Sequence, residues 1–267
     1  MMRMRKYFEI AKISFKSQLV WRFDVAMSAL SVFVKILFAF ILWGAIFGQK
    51  DTVSGFTFTS MLSYYLVSSL LSQLDLSGKI SSEISGRIRD GTFSKFMVIP
   101  ANTRAYFLAQ TFGCASFYLI FDLLMAGVCV VAFHIHFSLT TDFVTILCAI
   151  CMVVLGLIFM AQLNYFLGIL VLKFQDISLF LMIKDNIVAL ITGTMIPLTL
   201  LPAHFVSVMR IFPFYYVTYL PAMLLIGRNS GEALAGLMVL FIWVSLFLII
   251  NKLTYNQLRV RYDGVGI

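Results

Sequence analysis

The sequence predicts an all-α integral membrane protein of six transmembrane helices, and three observations predict it. Of the 267 residues, 61% are hydrophobic and 12% charged, with a mean hydropathy of +0.97. A soluble domain carries roughly 45–50% apolar and about 25% charged residues, so most of this surface faces lipid. The apolar residues gather into six stretches near the ~20-residue length of a bilayer crossing. The basic residues, in turn, are divided very unequally between the segments that connect those stretches.

Taken in order, the chain opens on a basic run, Met1-Met2-Arg3-Met4-Arg5-Lys6. No short apolar stretch with a small-residue cleavage site follows, so it does not read as a secretory signal. Over residues 1–24, Arg5, Glu9, Lys12 and Lys16 recur at helical spacing, and Met4, Phe8, Ala11, Phe15 and Leu19 keep the same rhythm on another face. This predicts an amphipathic helix in the membrane interface, with Trp21 and Arg22 at headgroup level. The six spans are expected at 25–48, 58–76, 106–133, 143–172, 177–200 and 232–250.

The loop 77–100 carries Ile80, Ile84 and Ile88 on one stripe, Glu83 four residues before Arg87, and Gly91 as a helix stop. Phe93, Phe96, Met97 and Val98 then form a short apolar patch ended by Pro100. Stripe and patch must pack on something: the chain's own membrane domain or a soluble partner. The segment 197–231 holds Pro197, Pro202, Pro213 and Pro221 among Phe212, Phe214, Tyr215, Tyr216 and Tyr219. It is too apolar for a solvated loop and too broken for a spanning helix, which predicts short helices dipping into the outer leaflet. The whole of 1–267 reads as one transmembrane domain.

Sixteen of the twenty Lys and Arg lie on one side: six before the first span, five in 77–106, then Lys173, Lys184, Lys252, Arg259 and Arg261. Lys50, Arg210 and Arg228 fall on the other side, and Lys35 within the first span. By the positive-inside rule the protein is a multi-pass protein of the cell membrane with both termini cytoplasmic.

Enzyme chemistry finds little support. The pair Gly78-Lys79 is followed by Ile80 and preceded by Gln73 where a phosphate-binding loop needs glycine. His134 and His136 have no further metal ligand beside them, and Cys114, Cys129, Cys148 and Cys151 sit in apolar runs as small hydrophobes. The ionisable residues within spans say more, because each costs about 2.5–3.5 kcal/mol at the bilayer centre unless paired or hydrated. These are Lys35, Asp122, Lys184 and Asp185; Asp122 is expected at a helix interface or an aqueous route, paired with Lys35. Gln162 and Asn164 are expected to bond between helices.

The basic interfacial helix, the six spans, the glycine-punctuated loop at 77–100 and the broken aromatic segment together resemble the membrane (permease) subunits of type-2 ABC transporters, of the daunorubicin-permease-like class. The resemblance covers the whole chain and is most specific in Glu83, Gly91, Phe93 to Val98 and Pro100, and secondly in Phe212-Pro213-Phe214 through Pro221 and Gly227. It implies an ATP-driven exporter of an amphiphilic substrate, built with a second permease subunit, identical or related. Two cytoplasmic ATPase subunits would hold the ATP and Mg, so this chain is not itself an enzyme and carries no cofactor. It further implies a coupling element at Lys79, Glu83, Arg87, Gly91, Phe93 and Phe96, and a pathway lined by Ser63, Tyr64, Ser68, Ser72, Asn186, Thr192 and Thr194. The outer gate would use Pro213, Tyr215, Tyr216 and Tyr219. A six-span secondary transporter or channel is the alternative, weakened by the lack of an internal repeat.

Overall fold

The computed structural model describes residues 2–20, 22–48, 51–99, 102–134, 139–193 and 198–262. Trp21, Lys50, Pro100, His136, Thr194 and Pro197 lie outside these residues, as do the side chains of Met4, Arg22 and Arg261. Twelve α-helices and no strand occur among the described residues.

The N-terminal helix α1 (Met2–Ser17) ends before α2 (Arg22–Phe47), and it lies against α6 (Thr103–Ala132). A Cβ on Gly113 of α6 would stand 2.1 Å from the Ala11 carbonyl oxygen, so the two backbones touch at a position only glycine allows. The face that packs carries Ala11, Ser14 and Gln18, with Phe15 edge-on to Phe117 at 5.2 Å. Phe8 and Leu19 of the predicted apolar stripe are exposed instead. Close backbone approach in a membrane selects small and polar residues, and lipid accepts the large ones.

Among the described residues, four helical stretches are long and apolar enough to cross a membrane, Phe23–Phe47, Thr103–Ala132, Phe143–Phe174 and Ser230–Leu258, with a bent pair at Ala203–Met209 and Pro213–Leu225 as a fifth if it counts as one span. The four correspond to α2, α6, α7 (Phe143–Ile169) continued by α8 (Val171–Phe174), and α12 (Ala233–Leu258) with the turn before it. The expected second and fifth spans are shorter than the sequence suggested. Helix α3 (Phe58–Leu74) has 17 residues, opened by a Thr57–Ser60 capping box and ended at Asp75. Helix α9 (Ser178–Ile191) has 14. The apolar stretches run past both helix ends because a single Asp75 or Gly193 does not interrupt a run of otherwise apolar residues.

Between α9 and α12 the chain is broken as its prolines require. Helix α10 (Ala203–Met209) is followed by a 3-10 turn at Pro213–Tyr216 and α11 (Tyr219–Leu225), with a bend of 92° between the two halves. The core runs through α2, α3, α7, α11 and α12, where Phe159 stacks edge-on to Phe247 at 5.3 Å and Phe214 at 5.7 Å. A second core cluster sits at the end of the bundle that holds α4 (Gly78–Arg89) and α5 (Ser94–Val98). Both chain ends reach that same place: Tyr7 accepts a hydrogen bond from the Asn102 N–H, and Tyr262 stacks against Phe93.

Candidate functional site

Helix α4 is amphipathic, and its isoleucine stripe is covered by its own chain. Ile80, Ile84 and Ile88 are buried against α7, where Gly168 is so close that a Cβ would lie 3.0 Å from that of Ile84. Gly91, at φ +68°, ends the helix as predicted, and Phe93 and Phe96 then turn inward. Phe96 meets Phe107 at 5.1 Å and Tyr106 at 5.3 Å. The Tyr262 hydroxyl donates to the Gly91 carbonyl at 2.5 Å and accepts from the Ser94 N–H at 3.1 Å, latching the C-terminal segment onto the turn.

The predicted coupling residues therefore divide. Glu83 and Arg87 form a 2.7 Å ion pair within the joint; Gln110 of α6 donates to Glu83, and the Arg87 guanidinium lies 5.2 Å over the Phe96 ring. Gly91, Phe93 and Phe96 anchor the joint from inside. Of the six, Lys79 is exposed. The outward side of the element includes Lys79, Ser82, Arg89, Asp90, Lys95, Met97, Val98 and Ile99, Val98 being 83% exposed. Arg89 also reaches Asp176 at 3.3 Å in the turn before α9. There the Ser178 N–H and hydroxyl both donate to the Asp176 carboxylate and hold it below the usual carboxylate range.

Behind α4 lies a buried polar junction that sequence reasoning read only in part. The Asn164 amide of α7 donates to the Ser77 hydroxyl at 2.8 Å and to its own Met160 carbonyl at 3.0 Å. Its oxygen accepts from Ser81 of α4 at 3.3 Å and from the Lys184 ammonium of α9 at 3.2 Å. Ser77 in turn donates to Asp75 at the end of α3. One asparagine thus ties together α3, α4, α7 and α9. Lys184 and Asn164 were singled out from the sequence, but Asp75, Ser77 and Ser81 were not, since a serine in a polar loop carries no signal of a partner more than eighty residues away.

The candidate pathway residues do not share one surface. Ser68 and Ser72 of α3 face a groove of about 600 Å³ together with Ser69, Gln73, Lys35 of α2 and Ala189 of α9. Ser69 keeps a buried hydroxyl without a hydrogen-bond partner there, and Gln73 donates to Ser28 at 3.2 Å. Tyr64 points the other way, fully buried, and donates to the Gly193 carbonyl at 3.0 Å. Ser63 and Thr192 are buried, bonded to carbonyls one turn back, and Asn186 is exposed on α9. Thr194 lies outside the described residues.

The expected Lys35–Asp122 pair does not form within 4.0 Å. Asp122 is fully buried on the face of α6 that carries Tyr118, Ala126 and Cys129, and neither carboxylate oxygen has a hydrogen-bond partner. Lys35 instead lines the groove.

At the opposite end, Pro213, Tyr215, Tyr216 and Tyr219 are all buried. Glu232 organises them: it accepts from Arg210 at 2.9 Å, Asn229 at 2.9 Å and the Tyr215 hydroxyl at 3.2 Å. Arg228 stacks 3.9 Å over the Phe56 ring and donates to the Gly55 carbonyl, tying the broken segment to the turn before α3. Glu232 was missed because a lone acid at the start of a span reads as an ordinary helix beginning.

The model of the family described as ABC-2 family transporter protein matches residues 33–266. No curated protein and no solved structure matches the chain.

Proposed function

The chain belongs to the ABC-2 transporter family, and from that premise we propose that it is the permease subunit of an ATP-driven exporter whose energy comes from separate ATPase subunits. The observation that carries this reading is the α4–α5 element. It offers an exposed basic and apolar surface, Lys79, Arg89, Lys95, Met97 and Val98, on a joint braced from behind by Asn164. A push on that surface is passed to α7 through Ile84 against Gly168 and to α9 through Lys184, because close-packed interiors shift as units rather than deform.

The gathering of both termini with α4 and α5 at one end accords with the side that sixteen basic residues mark as cytoplasmic. Closure of two ATPases there would rock α4, and the membrane helices would alternate between inward- and outward-open states. The groove beside Lys35, Ser68 and Ser72 is the segment of the pathway this chain contributes, and its apolar wall with one cation suits an amphiphile that carries an acidic group. Helix α9 buries one side chain, Ile191, and exposes Leu179, Met182, Ile183, Ile187 and Leu190 beside Asn186. A second permease subunit, identical or related, covers that face and closes the groove. The broken segment 198–231, held by Glu232, forms the exit side as the gate.

Affinity purification of the tagged chain from its native membrane tests the reading. An ATPase with a phosphate-binding loop is expected to co-purify, and Met97→Asp with Val98→Asp is expected to release it. Recovery of the chain without any ATPase, together with ion-gradient-driven transport in vesicles, would support a secondary transporter instead.

A further inference from the structure

Where α6 begins and α12 ends, a cavity of about 380 Å³ opens in front of Tyr165. Three cations line it: Arg104 of α6, Lys252 of α12 and Arg259 just beyond. No acidic side chain is among the lining residues, and none of the three cations takes part in an ion pair among the described residues. Arg104 uses one N–H on the Leu248 carbonyl at 3.1 Å, and Arg259 lies 6.0 Å over the Tyr255 ring, so both guanidinium groups keep donors to spare. Converging positive charges without a counter-ion call for an anion. The first turn of the 30-residue α6 also faces the cavity through Thr103 and Arg104, and the positive end of its dipole adds to the attraction.

A second, independent observation narrows the ligand. Asn251 lines the cavity and is 1% exposed; its amide donates to the Gln162 carbonyl at 3.0 Å, and its Oδ1 has no hydrogen-bond partner. That oxygen requires a donor, which the ionised phosphodiester of a lipid cannot give and a headgroup hydroxyl can. Beside the cavity, Leu246, Ile249 and Leu253 form an exposed apolar stripe along α12, a track for acyl chains. The position, with the chain ends and α5, is the cytoplasmic interface by the reading above.

We propose that this cavity seats the headgroup of an anionic glycerophospholipid, its phosphate held by Arg104, Lys252 and Arg259, a headgroup hydroxyl donated to Asn251, and its tails laid along α12. Basic pockets between helices at a cytoplasmic interface bind such headgroups. The lipid is a resident of the permease, clamping the start of α6 to the end of α12 under the α5 surface, and is distinct from whatever crosses the groove at Lys35.

The test uses the full chain in detergent, mixed with phosphatidylglycerol, phosphatidic acid or phosphatidylcholine, with retained lipid read by native mass spectrometry. Wild type is expected to hold phosphatidylglycerol in preference to phosphatidylcholine. K252Q with R259Q is expected to weaken retention roughly 30-fold, about fivefold for each basic group near the interface. Both residues are exposed, so the variant should melt as wild type does. N251L is expected to lose the preference for phosphatidylglycerol over phosphatidic acid, whose headgroup has no extra hydroxyl. Inorganic phosphate alone should not displace the lipid; if it does, the site is for a free anion. Equal retention of the zwitterionic lipid, or unchanged retention in K252Q with R259Q, overturns the proposal. So does loss of ATPase binding in that variant with lipid retention intact, which would make the cavity a protein contact. The proposal rests on the orientation reading for its leaflet alone, and impermeant labelling of R259C in inverted vesicles against intact cells reads that separately.

Discussion

Replacing Asn164 by Leu removes the side chain at the centre of the buried junction between α4, α7 and α9, and the structure allows its cost to be worked. Three bonds to neighbouring segments are lost, to Ser77, Ser81 and Lys184. At about 0.6 kcal/mol for a typical bond between membrane helices these sum to roughly 2 kcal/mol. The Lys184 ammonium, 11% exposed, is left with its neighbour Asp185 as the one remaining partner in an ion pair, and a lost bond to a charged group raises the cost toward about 4 kcal/mol. Asn164→Leu is therefore expected to lower stability by about 2–4 kcal/mol in a denaturant titration. In vesicles reconstituted with the ATPase it should keep nucleotide hydrolysis and lose substrate efflux. Adding Lys184→Met removes the ammonium left short of a partner and should recover about half the stability, since a missing pair costs less than an orphaned charge. Efflux should stay low, because α4 and α9 are still unlinked. If the double variant recovers efflux along with stability, the junction is structural only and the account of coupling is wrong.

Gly113→Leu would place a side chain where the Ala11 carbonyl sits 2.1 Å away; we expect α1 to lift from α6, at the upper end of about 1–3 kcal/mol for overpacking, visible as protease cleavage near Ser17, and a variant as resistant as wild type refutes the close contact. Lys35→Met should abolish efflux of acidic amphiphiles while leaving the melting temperature unchanged or higher, because removing an intramembrane charge relieves about 2.5–3.5 kcal/mol; undiminished efflux would remove the groove from the pathway. Asp142 caps α7 by accepting from the Thr145 hydroxyl and N–H, which holds its carboxyl below the usual range. Its folded value is depressed, so this stabilisation is present above the unfolded value of about 3.9 and is lost as pH falls through the lower folded one. The melting difference between wild type and Asp142→Ala should accordingly vanish at low pH, and a difference that grows there contradicts the assignment.

Much of this architecture was legible because periodicity shows which face of a helix is apolar. Ile80, Ile84 and Ile88 announced an amphipathic α4, and Gly91 its end, from spacing alone. What covers such a face is not periodic: Gly168, 84 residues on, admits Ile84, and nothing in the local sequence marks a glycine within an apolar helix as a socket. The same limit explains why the patch at Phe93 and Phe96 could be read either as packing on the chain's own membrane domain or as a surface for a partner: both rings are anchors for the joint, while Val98 at the end of the run faces outward. In α1 the apolar stripe was read as the face of an interfacial helix; Phe8 and Leu19 on it are exposed, while Ala11 and Phe15 of the same stripe pack on α6, a contact with no local signal in the sequence. Asp122 and Lys35 were rightly singled out as charges within spans. Whether they would meet in direct contact was not readable, since the distance between them is set by how α2 and α6 pack; they interact at longer range than an ion pair.

The buried position of Phe93 and the exposed one of Val98 bear on the central claim, that a separate ATPase drives this chain through the outer surface of α4 and α5. Site-specific photo-crosslinking in native membranes tests it directly, with benzoylphenylalanine placed at Val98 in one variant and at Phe93 in another. The account predicts a cross-link from Val98 to a subunit bearing a phosphate-binding loop, and from Phe93 only products within the chain. A cross-link to the ATPase from Phe93 and none from Val98, or no ATPase captured from either position, would contradict it.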